Sequence, residues 1–98
     1  MVKTGDILIT LSNVGNKEKA MLDFSNISIK SNDTIYLHVS NGEIFEIIKN
    51  DIPIDLFLDW IAATYNTQPN IDAIASKDGS NLVFIGNDLD IKIDFGNE

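Results

Sequence analysis

Cysteine is absent from this 98-residue chain. That excludes a disulfide framework and a thiolate metal site, and it fits a reducing compartment. Long apolar runs are absent too, since none approaches the ~18 residues of a membrane span. The leading residues Met1-Val2-Lys3-Thr4-Gly5-Asp6 lack the apolar stretch of a secretion signal. The expected location is a host cytoplasm or, if the chain is carried in an assembly, a virion. Positive charge is scarce: 7 Lys+Arg stand against 15 Asp+Glu, for a net charge of −8. This balance argues against direct nucleic-acid binding, which needs a basic footprint.

Residues that carry chemistry are equally thin. The one histidine, His38, falls in mid-strand with no nucleophile or carboxylate at a recognisable catalytic spacing. Glycines stand singly at turns, so no phosphate-cradling loop is present. Asp88-Leu89-Asp90-Ile91-Lys92 begins like a calcium loop. It then places Lys92 where an oxygen donor is needed and lacks the glycine of the sharp turn. The triplets Asn26-Ile27-Ser28 and Asn32-Asp33-Thr34 match a glycosylation acceptor, which without a secretion signal carries no weight. No catalytic, cofactor-binding or metal-ligating residue is assigned, and the chain is not expected to be an enzyme.

What is present is a strand-rich globular pattern, with 44% hydrophobic and 22% charged residues. One domain over 1–98 is expected, large enough to bury roughly two-thirds of its extended surface. Residues 6–12 alternate as a strand, and 13–17 form a polar connection of hairpin length. A second strand begins near Glu18. Its inward set Ala20, Leu22, Phe24 slips phase at Ser25-Asn26 before Ile27 and Ile29, which signals a β-bulge or a break between strands. Residues 33–40 and 43–48 read as strands joined by Asn41-Gly42, a strong two-residue hairpin signal. That turn sets Val39 opposite Ile44, His38 opposite Phe45, Leu37 opposite Glu46 and Tyr36 opposite Ile47. Ile35, Leu37, Val39, Ile44 and Ile48 then share one face. Tyr36, Phe45 and Ile47 share the other with His38, and both faces are mainly apolar.

A helix is expected over 53–66, with Pro53 in its first turn and Asp51 and Asp55 at its positive end. Ile54, Phe57, Leu58, Ile61 and Tyr65 form its apolar stripe at ~100° per residue, with Leu56 and Trp60 roughly opposite. Strands at 71–76 and 82–85 flank a turn at Asp78-Gly79. In the last strand Leu89, Ile91, Ile93 and Phe95 alternate with Asp90, Lys92 and Asp94. The expected fold is α+β: a mostly antiparallel sheet of six to seven strands with the one helix packed on one face. Residues 1–32 supply N-terminal strands, and 33–98 form a hairpin–helix–hairpin–strand unit.

Within that unit, "IYLHVSNGEIFEII", "KNDIPID", "FLDWIAATYN", "IDAIASKDGSNLVFIG" and "LDIKID" follow one another. In order, spacing and both Gly turns, residues 33–95 resemble a small module found repeatedly in tail and other virion proteins of bacteriophages. The resemblance brings no catalytic residues. It implies a structural part of a particle, with protein partners: other copies of the chain or other virion proteins.

Two readings of function follow. In the first, apolar groups that one helix cannot cover, namely Leu56, Trp60, Tyr36, Phe45 and Ile47, meet either the N-terminal strands or another subunit. Trp is enriched at interface hot spots, which favours the subunit for the helix pair. In the second, the chain is a small acidic inhibitor. Asp88, Asp90 and Asp94 would then face a basic, nucleic-acid-binding site on a host protein, at a spacing of ~7 Å along one strand.

Overall fold

The structure, a computed structural model, describes residues 3–5, 7–40, 44–69 and 71–96. Among them lie nine strands and one helix: β1 (Lys3–Gly5), β2 (Leu8–Val14), β3 (Lys17–Asp23), β4 (Ile27–Ile29), β5 (Thr34–Ser40), β6 (Ile44–Ile48), α1 (Ile54–Tyr65), β7 (Ala73–Asp78), β8 (Asn81–Gly86) and β9 (Leu89–Phe95). All strand pairs are antiparallel. The fold is thus α+β and mostly antiparallel sheet, with more strands than the six to seven expected. The surplus comes from β1 and β4, three-residue strands too short to show a period.

The strands form a small β1–β4 pair and two larger sheets, one ordered β2-β3-β8-β7 and the other β6-β5-β9. The inner faces of the two larger sheets and one side of α1 share a single core. Ala20, Leu22, Leu82 and Phe84 come from the first sheet, Ile35, Leu37, Val39 and Ile47 from the second, and Phe57, Leu58, Ile61 and Tyr65 from the helix. The sheets approach each other where β9 passes β3, and there Leu89 N–H donates to Glu18 Oε1 at 2.6 Å. On the other side α1 packs on β7 and β8. Tyr65 meets Phe84 of β8 edge-on, with centroids 5.2 Å apart, and Phe45 of β6 at 5.8 Å. One helical residue therefore ties both sheets together.

Local chemistry fixes the connections. Gly15 takes a positive φ of 62° at the first position of the two-residue β2–β3 turn, a conformation that primed hairpin turns demand. The phase slip at Ser25-Asn26 is a break between strands: β3 ends at Asp23, and after Phe24 N–H, which donates to Ser80 O at 2.9 Å in the β3–β8 register, the chain turns toward β4. Hydrogen bonds from Ser25, first its side chain and then its backbone N–H, hold the exposed Asp23 carboxyl below the ordinary carboxylate range. This turn is tightest above the usual carboxylate pKa and loosens as pH falls through the lowered value. The second hairpin turn is Gly79-Ser80, one residue later than expected, because Asp78 pairs with Asn81.

The β5–β6 register also differs from expectation, and the difference matters. Ile35 pairs with Ile47, Tyr36 with Glu46, Leu37 with Phe45 and His38 with Ile44. A shift of one residue moves every side chain of a strand to the opposite face. Ile35, Leu37, Val39, Phe45 and Ile47 now all turn inward, while Tyr36, His38, Ile44, Glu46 and Ile48 turn outward. Burying five apolar groups on one side outweighs the Asn41-Gly42 preference for a two-residue loop. Those turn residues, like Asp6 at the start of the first expected strand, lie outside the described residues.

Candidate functional site

The corrected register decides where each expected interface residue lies. Ile47 is 2% exposed and Phe45 packs against the core, so both are covered by the chain's own second sheet and helix rather than presented to a partner. Tyr36 is half-buried on the outer face of the three-stranded sheet, its ring lying over Gly96, where a Cβ would come within 2.8 Å of Tyr36 Cε2. Leu56 and Trp60 are 55% and 40% exposed on α1. Four residues apart, they share one face of the helix, and the Trp60 ring stacks on the fully buried Phe57 at 6.1 Å and 11°. Asp59 between them reaches Lys77 of β7 at 3.7 Å, a surface ion pair that adds little to the apolar packing of α1 on the sheet.

The acidic residues divide into two groups. A β-bulge between β5 and β9, where pairing shifts from His38–Lys92 to Ser40–Leu89, offsets Asp90 from the row that holds Lys92 and Asp94. Asp90 lines an open cleft of about 330 Å³ with Asp88, Asp72 and the buried Ser40. Asp94 instead sits beside His38, with Oδ2 3.5 Å from His38 Nε2 and 3.6 Å from Lys92 Nζ. The continuous acidic stripe expected along β9 is therefore replaced by a cleft cluster and a locally paired carboxylate. Asp72 joins the cluster because the chain runs close over Gly86: a Cβ there would lie 2.5 Å from Asp72 O. Asp72 lies just before β7, which begins at Ala73 where the alternation predicts a strand over 71–76. Among the described residues, no group of three or more His, Cys, Asp or Glu is placed to hold a metal ion.

Lys49 is a second feature the sequence did not announce. It is buried, and its Nζ donates to Asn50 O at 2.5 Å and Ile52 O at 2.8 Å while lying 5.0 Å from the centre of the Phe57 ring. A lysine whose stem packs inward and whose ammonium is met by carbonyls and an aromatic face braces a loop. Here it shapes the segment that delivers α1.

The largest unforeseen feature is β2. It bonds to β3 on one side and, among the described residues, to no strand on the other. Leu11 points the same way as its partner Ala20, yet Leu11 is 69% exposed and Ala20 is 0% exposed. The cover provided by β9 reaches β3 and leaves the core-facing side of β2 largely open. Leu8 and Val14 on the opposite side of the strand are exposed as well. The available signal in the sequence was the lack of any charge after Asp6 in "DILITLS".

No protein-family model matches the chain, and no curated protein or solved structure matches it. Among the described residues, no helix is long and apolar enough to cross a membrane.

Proposed function

We propose that the chain is a non-enzymatic structural or assembly protein of a bacteriophage particle, acting through self-association or docking into a larger assembly. The observation that supports this most is apolar surface at separate places on a small domain: Leu56 and Trp60 on the helix, Leu8, Leu11 and Val14 on the β2 edge. Exposed large apolar side chains gathered on one helix face and one sheet edge are places where association can bury them. The element order β5–β6–α1–β7–β8–β9 also runs as the resemblance of residues 33–95 to a virion module implies.

Trp60→Ala tests the reading. A buried interfacial tryptophan contributes on the order of 2 kcal/mol or more to association, while the Trp60–Phe57 stack contributes roughly 1 kcal/mol to folding. Sedimentation should therefore show association weakened by about thirtyfold or more, with thermal unfolding lowered by only a few degrees. Association untouched by the change would remove the helix face from the reading.

A second reading, a small acidic inhibitor of a host nucleic-acid-binding protein, is favoured by the convergence of Asp72, Asp88 and Asp90 on one cleft. It requires salt-sensitive binding to a basic protein partner. Asp88→Ala combined with Asp90→Ala should abolish that binding, and Asp94→Ala should spare it because Asp94 already faces Lys92 and His38. Equal effects at all three positions would argue for diffuse charge instead of a cleft.

A further inference from the structure

We infer that β2 pairs antiparallel with β2 of a second copy about Leu11, joining two four-stranded sheets into one of eight. This rests on the assembly reading and specifies its contact.

The free edges of the larger sheets are not alike. On β7, the Asn66 side chain takes up both polar groups of Ala75, donating to its C=O and accepting from its N–H, each at 2.8 Å. The edge of β9 lies along β3 and is tied there through Glu18. On β6, a five-residue strand carries Glu46. The seven residues of β2, LITLSNV, contain no charge and no proline, and their pairing with β3 runs without a bulge. Charge, proline and bulges are the devices that keep edge strands from pairing with other chains. An unguarded edge about 24 Å long is a template for strand addition.

The sequence of β2 favours its own copy as the occupant. With Leu11 on the two-fold axis, Leu11 meets Leu11, Leu8 meets Val14 and Thr10 meets Ser12. Apolar residues thus face apolar ones, and hydroxyl faces hydroxyl. Ile9 against Asn13 is the one mixed pair. Charge agrees with this arrangement. A chain of net charge −8 resists its own copy over most of its surface, but the β2 seam itself is neutral. The charges next to it in one row are Asp23 beside Leu8 and, across the seam, Lys17 beside Val14 of the second copy. These have opposite signs. An isologous contact of this kind closes on itself and yields a discrete dimer.

The test uses the full chain. Sedimentation equilibrium of the unaltered protein should show a dimer. Leu11→Lys places two ammonium groups opposite each other at the axis and should weaken the dimer by at least about a hundredfold. The monomer should keep its circular dichroism and melting temperature, because Leu11 is already exposed. In this cysteine-free chain, Leu11→Cys should cross-link copy to copy under mild oxidation. Val14→Cys should not, since antiparallel register sets its two copies about 20 Å apart. A monomer at millimolar concentration would overturn the pairing. Association that survives Leu11→Lys but fails in Trp60→Ala would also overturn it, while leaving the broader assembly reading standing on the helix face.

Discussion

Ile47→Lys should leave the chain largely unfolded, whereas Ile48→Lys, one residue further on, should leave it almost unchanged. Ile47 is 2% exposed and pairs with Ile35 inside the core; Ile48 is 55% exposed and pairs with Thr34 on the outer face. An ammonium forced in at position 47 would find no carboxylate among the core residues. Burying it uncompensated costs on the order of 4 kcal/mol or more, a large part of the 5–15 kcal/mol that holds a domain of this kind together. At position 48 the lysine reaches solvent, and the change should stay within about 0.5 kcal/mol. Urea denaturation of both variants reads the difference directly. In the register that a two-residue Asn41-Gly42 turn imposes, Ile48 faces inward and Ile47 outward, so the two outcomes would be exchanged.

Tyr65→Ala should be nearly as severe. Tyr65 is fully buried in the last turn of α1. Its ring meets Phe45 at 78° and Phe84 at 86°, so truncation opens a cavity at the point where the two sheets and the helix join. Removing a buried aromatic side chain costs roughly 3–5 kcal/mol, and each edge-to-face contact contributes about 0.5–1.5 kcal/mol beyond its buried area. Denaturation midpoints give the total. Native-state hydrogen exchange should show that α1 and β6 lose protection together, because Tyr65 couples them. A loss below about 1 kcal/mol, the range of a typical surface or partly buried site, would mean that the sheets are held together elsewhere.

The sequence made some of this structure legible and hid the rest for identifiable reasons. The helix was readable nearly to the residue, because Pro53 marks its start and five apolar residues repeat at helical spacing; it runs Ile54–Tyr65. The break at Ser25-Asn26 was visible as a change of phase. Hairpin register was not legible. In β6, Ile44, Phe45, Ile47 and Ile48 place apolar residues at both parities, so alternation could not choose, and turn preference chose wrongly. Tertiary burial decided instead. The surplus of aromatic surface expected on that hairpin was a product of the wrong register: Phe45 and Ile47 belong to the core.

The surface positions fared differently. Helical spacing puts Leu56 and Trp60 roughly opposite the apolar stripe, and they are exposed. Alternation along residues 6–12 puts Leu11 on one face of its strand, the face of its buried partner Ala20, yet no single strand reveals where the covering layer stops. Lys49 and Asp72 were invisible for related reasons. Each takes its place through contacts with carbonyls or backbone brought close by folding, which no local spacing encodes.

Of the exposed large apolar side chains, Leu8, Leu11 and Val14 lie on β2 and Leu56 and Trp60 on α1, beside Ile44, Ile48 and Ile74 on β6 and β7; among the described residues, β2 bonds to no strand on the side away from β3. Hydrogen exchange at the amides of Leu8–Val14, followed as protein concentration rises, tests this most directly. Alternate β2 amides, those directed away from β3, should become protected as copies associate, while amides of Ile44–Ile48 keep the same rate throughout. Exchange in β2 that ignores concentration, or new protection that arises in Ile44–Ile48 instead, would contradict it.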